Sequence, residues 1–298
     1  EVIDEVNSRF PKLTYVDHQY KDFDNNIADI EGLTLEEICT SFRNFAASQL
    51  HLYYTIDTIR QLFAGMATSK LIILEGISGT GKTSLPYAMG KFFNFDANIC
   101  SVQPSWKDRS ELIGYYNEFT KKFNETEFLK ALYTSIYRKD VNLIVLDEMN
   151  LARIEYYFAE FLSVMEMPNV NEWKIELINS YSDTDPKFVQ NGKILIPQNV
   201  IFFGTANNDD STFTISDKVY DRAISLFFDN KGIPFEADIQ ESINLNYDQL
   251  ERLYKEAQEN YPVSEKLLDK FAELDDFVIA KFKLAFGNRI LKQLKIFI

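Results

Sequence analysis

The stretch Leu71 to Thr83, LIILEGISGTGKT, constrains this chain more than any other. Leu71 to Leu74 are continuously apolar, the pattern of a buried strand. Gly76, Ile77, Ser78, Gly79, Thr80, Gly81, Lys82 and Thr83 then satisfy G-x-x-x-x-G-K-[ST] without a mismatch. Each residue type has a chemical reason. Glycines reach positive φ, so successive N–H groups turn inward around phosphate oxygens. A helix starting near Gly81 points its positive end at the same anion. In such a loop Lys82 reaches the β- and γ-phosphates, and the Thr83 hydroxyl holds Mg²⁺. The segment SLPYAMGKFF, from Ser84 on, reads as that helix. A glycine-rich turn matching by chance is the plain alternative, and the flanking strand and helix weigh against it. The stretch predicts a nucleoside triphosphate site built from Gly76, Ser78, Gly79, Thr80, Gly81, Lys82, Thr83 and Ser84.

At 298 residues the chain is long for one domain, so one large and one small domain are expected. Its 25 Phe and 16 Tyr supply ample material for a packed core. LIIL, LIVL and VIFF are only strand-sized, so neither a membrane span nor a signal peptide is read, and a cytoplasmic location is expected. Cys39 and Cys100 lack metal spacing and read as small packing residues. His18 and His51 are isolated and read as structural. A net charge of −14 argues against non-specific nucleic-acid affinity, although composition does not place charge and leaves room for a local basic pore. The chain opens at Glu1 without Met and stops at KIFI, and so reads as part of something longer.

Residues 1–32 read as a polar, extended lead-in with one short strand at LTYV. Thr34 with Glu37 fits a capping box, and Ile38, Phe42, Phe45 and then Leu52, Ile56, Ile59, Phe63 recur at helical spacing. A second strand is expected around Ile99 to Gln103. SELIGYYNEF reads as a glycine-broken segment, and a helix is expected over Glu125 to Tyr137. Dense apolar residues predict a buried helix over Ile154 to Met167. WKIELI and KILI, between Trp173 and Ile196, read as an inserted β-hairpin. A turn at Asn230-Lys231-Gly232 and a linker-like stretch, Pro234 to Asn246, lead into helices at Tyr247 to Asn260 and Ser264 to Phe282, and then ILKQLKIFI.

Two further strands carry chemistry at their ends. VNLIVLDEMN is an apolar strand ending in Asp147 and Glu148. Phosphate-loop hydrolases need this pair: Asp147 for the Mg²⁺ shell and Glu148 as general base for the attacking water. NVIFFG, from Asn199 to Gly204, runs on into Thr205, Ala206 and Asn207, and Asn207 is the amide suited to stand beside γ-phosphate and water. Plain turn chemistry is the alternative for an Asn in that position. A fifth apolar run, ISLFF, follows the Asp221-Arg222 pair.

Taken together, LEGISGTGKTSL, VQPSW with LIGYYN, LDEMNLARIEYYFAEFLSVME, GTANNDD and SDKVYDRA resemble the AAA+ ATPases over about Leu52 to Arg289. Among these the resemblance is to the dynein-related type that includes McrB and MoxR, and LDEMNLA is nearer the McrB-like members. It implies an α/β core, a parallel five-stranded sheet flanked by helices with an inserted β-hairpin, plus a small all-helical lid. The expected division is residues 1–50 as lead-in and helix, 51–232 as nucleotide-binding core and 233–298 as lid. Gly76 to Thr83 match Walker A, Asp147 and Glu148 match Walker B, and Asn207 matches the sensor 1 asparagine. Arg222 falls in the arginine-finger region, and Arg289 falls where the lid often supplies a second sensor arginine. McrB-like proteins often carry several consecutive arginines at the finger, whereas Arg222 stands between Asp221 and Ala223. A surface arginine paired with Asp217 or Asp221 is the other reading.

A finger from the next subunit contributes on the order of 10³–10⁵ in rate in related phosphoryl-transfer systems. Head-to-tail contacts of that kind close into rings. The expectation is a nucleotide-dependent homo-hexamer that uses Mg²⁺ and ATP, with GTP as the alternative, to remodel or translocate a macromolecule. A more specific version is a McrB-like defence motor acting on DNA with a separate nuclease, for which Asn207 and Asp210 keep the N-x-x-D spacing of GTP-using members. A nucleotide-gated interaction protein with little turnover is the reading from another class. A small-molecule kinase fits poorly with the hairpin insertion and the lid.

Overall fold

The computed structural model describes residues 8–209, 212–228, 232–283 and 285–298. The chain begins with α1 (Pro11–Gln19), α2 (Leu35–Leu50) and α3 (Ile56–Thr68), then β1 (Leu71–Gly76), α4 (Ser84–Phe92) and β2 (Asn98–Ser101). Next come α5 (Ser110–Ile113), a hairpin of β3 (Gly114–Asn117) and β4 (Lys122–Glu125), α6 (Glu127–Ile136) and β5 (Asn142–Asp147). Short helices α7 (Ile154–Tyr157) and α8 (Ala159–Val164) precede a second hairpin, β6 (Lys174–Glu176) with β7 (Lys193–Leu195). The core closes with β8 (Val200–Asn207), α9 (Asp217–Tyr220) and β9 (Ile224–Phe228), followed by α10 (Tyr247–Asn260), α11 (Glu265–Phe282) and α12 (Asn288–Phe297).

Five parallel strands form the central sheet in the order β2-β5-β8-β1-β9. Alternate residues of the central strands enter two separate cores. Leu71, Ile73, Ile144, Leu146 and Phe202 face α1, α6 and α8, whereas Ile72, Leu74, Val145 and Phe203 face α2, α3, α4 and α10. Both faces are covered, which is why these strands read as unbroken apolar runs. The first core is strongly aromatic: the rings of Phe128, Phe158 and Phe161 all pack on Phe202.

The capping box forms as expected: the Thr34 hydroxyl accepts from the Glu37 N–H, and the Glu37 carboxylate accepts from the Thr34 N–H. LTYV is helical rather than a strand. Pro11 stands in the first turn of α1, and Phe10, Leu13 and Val16 share one buried side. That helix is fastened by tertiary contacts, since Glu125 accepts from the Leu13 N–H at 3.1 Å and Asp17 accepts from the hydroxyls of Tyr133 and Tyr137. Through α1 the lead-in thus packs into the first core. SELIGYYNEF splits into α5 and β3, and β3 pairs with β4 in a hairpin the sequence did not announce. The expected helix over Ile154 to Met167 is interrupted at Phe158, whose ψ of −1° ends α7. The hairpin between Trp173 and Ile196 is present as β6 and β7. All elements described after Gly232 are helices; α10 buries Leu250 and Tyr254 in the second core, while α11 has no buried residue. No described helix is long and apolar enough to cross a membrane. Asn230 and Lys231 of the expected turn, and Asp210, lie outside the described residues.

Candidate functional site

β5, β8 and β1 are neighbours running in one direction, so their carboxyl ends meet at one edge of the sheet. The register sets Gly76 beside Asn207, and Leu146 beside Gly204. The glycine-rich loop leaves β1 at Gly76, the two acids leave β5, and Asn207 closes β8. Residues far apart in sequence are brought together by strand geometry, at the edge where open parallel sheets bind ligands.

Gly76 has φ +144°, and a Cβ there would lie 2.3 Å from the Phe228 carbonyl oxygen, so a side chain has no room. Gly79 and Gly81 also have positive φ, +80° and +90°. Ser78 is exposed in the turn, the Thr80 hydroxyl donates to the Ile77 carbonyl at 2.8 Å, and Ser84 opens α4. Lys82 is buried, its ammonium donating to the carbonyls of Gly76 at 3.0 Å and Ile77 at 2.7 Å. Burial pushes the pKa of this ammonium down, against the pull of Asp147 and Glu148.

Around the acids runs a continuous hydrogen-bond chain. Asp147 Oδ1 accepts from the Thr83 hydroxyl at 2.7 Å and from the Thr205 hydroxyl at 2.8 Å. The Thr205 oxygen in turn accepts from the Glu148 N–H at 2.8 Å. Asn207 Nδ2 lies 3.4 Å from Glu148 Oε1. Glu148 has φ +54°, a left-handed conformation costing on the order of 1–3 kcal/mol for a residue with a Cβ, of the kind that clusters at working sites. Thr83 and Asp147 present two hard oxygen atoms side by side. Among the described residues no group of three His, Cys, Asp or Glu could hold a metal. The pair fits Mg²⁺, which binds through one or two carboxylates together with phosphate oxygens.

Three features escaped the sequence reading. Thr205 joins the two acids, and its only signal was the Thr in GTANN. Asn150, the last residue of LDEMN, donates to the Asn207 carbonyl at 2.9 Å and so holds the end of β8. The third is a cavity of about 910 Å³ beside Thr80, walled by Tyr53, Ile56, Phe227 and Phe235 with Arg43 at its side. The Arg43 guanidinium lies 3.8 Å from the Phe235 ring centre. A recess of this size with aromatic walls suits a flat organic ring, and it is assembled from segments no motif connects.

Two expected site residues stand elsewhere. The Ser69 hydroxyl, before the start of β1, donates to the Arg222 carbonyl at 2.9 Å, so Arg222 lies at the opposite edge of the sheet. Six residues of β1 separate that edge from the loop, about 20 Å at strand rise. Arg222 pairs with Glu166 at 2.9 Å, rather than with Asp217 or Asp221. Arg289 is not brought to the loop of its own chain either: α12 packs on α3, and Arg289 pairs with Glu166 and Asp221 beside Arg222.

No family model matches the sequence, and no curated protein matches it. Among solved structures, one from Cytophaga hutchinsonii ATCC 33406, described as "a putative ATPase", is similar at 16% sequence identity and a TM-score of 0.53. The match covers 96% of this chain and 79% of that one. At that identity the likeness speaks for the fold alone. A five-stranded parallel sheet ordered β2-β5-β8-β1-β9, a glycine-rich loop after β1 and flanking helices give this chain the α/β phosphate-loop AAA+ fold.

Proposed function

We propose that this chain is one subunit of an AAA+ ring that hydrolyses a nucleoside triphosphate with Mg²⁺ and couples turnover to remodelling or translocating a macromolecule. The observation that carries the reading is the hydrogen-bond chain from Thr83 through Asp147 and Thr205 to Glu148, beside a glycine-rich loop holding a buried Lys82. In this reading the loop amides and Lys82 bind the phosphates, and Thr83 with Asp147 hold Mg²⁺. Mg²⁺, when bound, neutralises charge on the β- and γ-phosphate oxygens. Glu148 takes a proton from the attacking water, and Asn207 orients that water. The nucleoside lies in the cavity walled by Tyr53 and Phe235. Arg222 and Arg289, about 20 Å from their own loop, serve a neighbouring subunit's phosphates. The division into residues 1–50, 51–232 and a lid at 233–298 belongs to the same proposal, as does a cytoplasmic location.

Phosphate release from ATP and from GTP, measured side by side over a range of protein concentrations, tests it. The expected result is turnover per subunit that rises steeply with concentration. Glu148→Gln is expected to lower that turnover by about 10²–10⁴ while nucleotide still binds. A Glu148→Gln variant that turns over like the parent protein overturns the reading. Tight binding with negligible release of either nucleotide favours an interaction protein switched by nucleotide.

A GTP-using, McrB-like motor acting on DNA with a separate nuclease is the second reading. It is favoured by the likeness of LDEMNLA to the McrB-like members and by the N-x-x-D spacing of Asn207 and Asp210. A clear preference for GTP selects it; a preference for ATP selects the general remodeller.

A further inference from the structure

Glu166 lies just beyond α8, and two arginines from distant parts of the chain converge on its carboxylate. Arg222 Nη2 stands 2.9 Å from Oε2, and Arg289 Nη2 stands 2.5 Å from Oε1, so each oxygen takes one guanidinium. Arg222 is also fastened by Nη1, which donates to the Lys218 carbonyl at 2.7 Å. Arg289 has a second acid, Asp221, at 2.9 Å. The three residues line a cavity of about 390 Å³ that also receives Lys70 and Lys292, with Glu251 as a second acid. This is a local gathering of cations on a chain whose net charge is −14.

Two guanidiniums side by side repel one another, and the charge between them offsets that repulsion. A carboxylate and a phosphate each present a pair of acceptor oxygens to arginine, and the phosphate carries more charge and more oxygens. We infer that Glu166 is a placeholder for phosphate: it occupies Arg222 and Arg289 in the free subunit and is displaced when a neighbouring subunit's triphosphate arrives. The inference rests on the reading that these arginines act on a neighbour's nucleotide. Glu166 is a positioning residue here, since it touches no reacting atom. Arg222 keeps the Lys218 carbonyl and Arg289 keeps Asp221 when the Glu166 charge is removed, so both stay near their places. Removing that charge therefore takes away a competitor more than it takes away a support. Its effect falls on the concentration at which the site between subunits closes.

Turnover per subunit against protein concentration, for the parent chain, Glu166→Gln, Glu166→Ala, Arg222→Ala and the double variant Arg222→Ala/Glu166→Gln, tests this. Both Glu166 variants are expected to reach half-maximal turnover at a concentration about three- to ten-fold lower, the scale of one or two partly exposed ion pairs. Sedimentation with a non-hydrolysable nucleotide should show the same lowered threshold, and that shift is expected to shrink in the Arg222→Ala background, where Glu166 holds Arg289 alone. Glu166 variants that are folded by circular dichroism yet keep or raise the parental half-point overturn the placeholder. If Arg222→Ala alone turns over at the parental rate without concentration dependence, the underlying reading fails instead. Loss of turnover in Arg222→Ala beside an unmoved half-point in Glu166→Gln overturns the placeholder and leaves that reading standing.

Discussion

Thr205 has one hydroxyl and uses it twice, donating to Asp147 and accepting from the Glu148 N–H. Thr205→Val keeps the shape and removes both bonds, leaving a partly buried N–H without its partner. The expected cost is about 1–3 kcal/mol in a urea titration, with a fall in phosphate release as Glu148 loses its anchor. Unchanged stability and turnover would show that the bridge is incidental. A second residue makes its charge visible through pH. The Lys70 ammonium donates to the Gln198 carbonyl at 2.7 Å and touches the Tyr247 hydroxyl, and burial lowers its pKa from 10.5 to about 8 against the pull of Glu251. Below the folded value both states carry the proton, and folding buries a charge at constant cost. Between about 8 and 10.5 the unfolded chain holds a proton that the folded one releases, so stability rises with pH; above 10.5 the cost is gone. The unfolding free energy of the parent minus that of Lys70→Gln should therefore increase from about pH 7 to about pH 9.5. A flat difference would contradict the burial of that charge.

At the scale of elements, the β3–β4 hairpin sets a buried strand residue close to a fully exposed turn residue. Phe123, paired with Tyr116 in β4, is buried, stacks on Phe10 at 5.1 Å between ring centres, and donates its N–H to the Arg9 carbonyl at 2.7 Å. At the tip Asn117 Oδ1 accepts from the N–H groups of Phe119 and Thr120, which shapes the turn, while the Phe119 ring is 99% exposed. Phe123→Ala should cost about 3–5 kcal/mol by opening a cavity in the first core. Phe119→Ala should stay within about 0.5 kcal/mol of the parent. Melting curves decide, and similar losses at the two positions would mean that the hairpin does not pack as described. The packing of Phe123 on Phe10 also explains α1. Aromatic and β-branched residues make LTYV look like a strand. The first-turn proline and the Phe10-Leu13-Val16 spacing make it a helix once β4 and α6 cover that side.

For the whole molecule, the loop and the Arg222–Arg289 pair occupy opposite edges of one sheet, so one chain cannot join them and a head-to-tail neighbour can. With a non-hydrolysable nucleotide and Mg²⁺ at high protein concentration, mass measurement should find a species about six times 34.7 kDa. A lone subunit under those conditions would count against the ring. Much of this was legible beforehand, because strands buried on both faces must be apolar throughout, and a phosphate loop needs glycine where φ is positive. LIIL, LIVL and VIFF therefore declared the sheet, and GISGTGKT, Asp147-Glu148 and Asn207 named residues that the structure gathers at its edge. Strand order, and so which strand ends stand together, depends on pairings between segments far apart in sequence, and local pattern carries no record of them. Those pairings decided that Thr205 would bridge two acids. They also brought Arg43, Tyr53 and Phe235 around one cavity, and placed Arg289 with Arg222 on Glu166 instead of over its own loop. Sequence alone determined which groups could do the chemistry, since that follows from residue type and spacing. Only the tertiary structure decided which of them meet, because distance in space is set by packing.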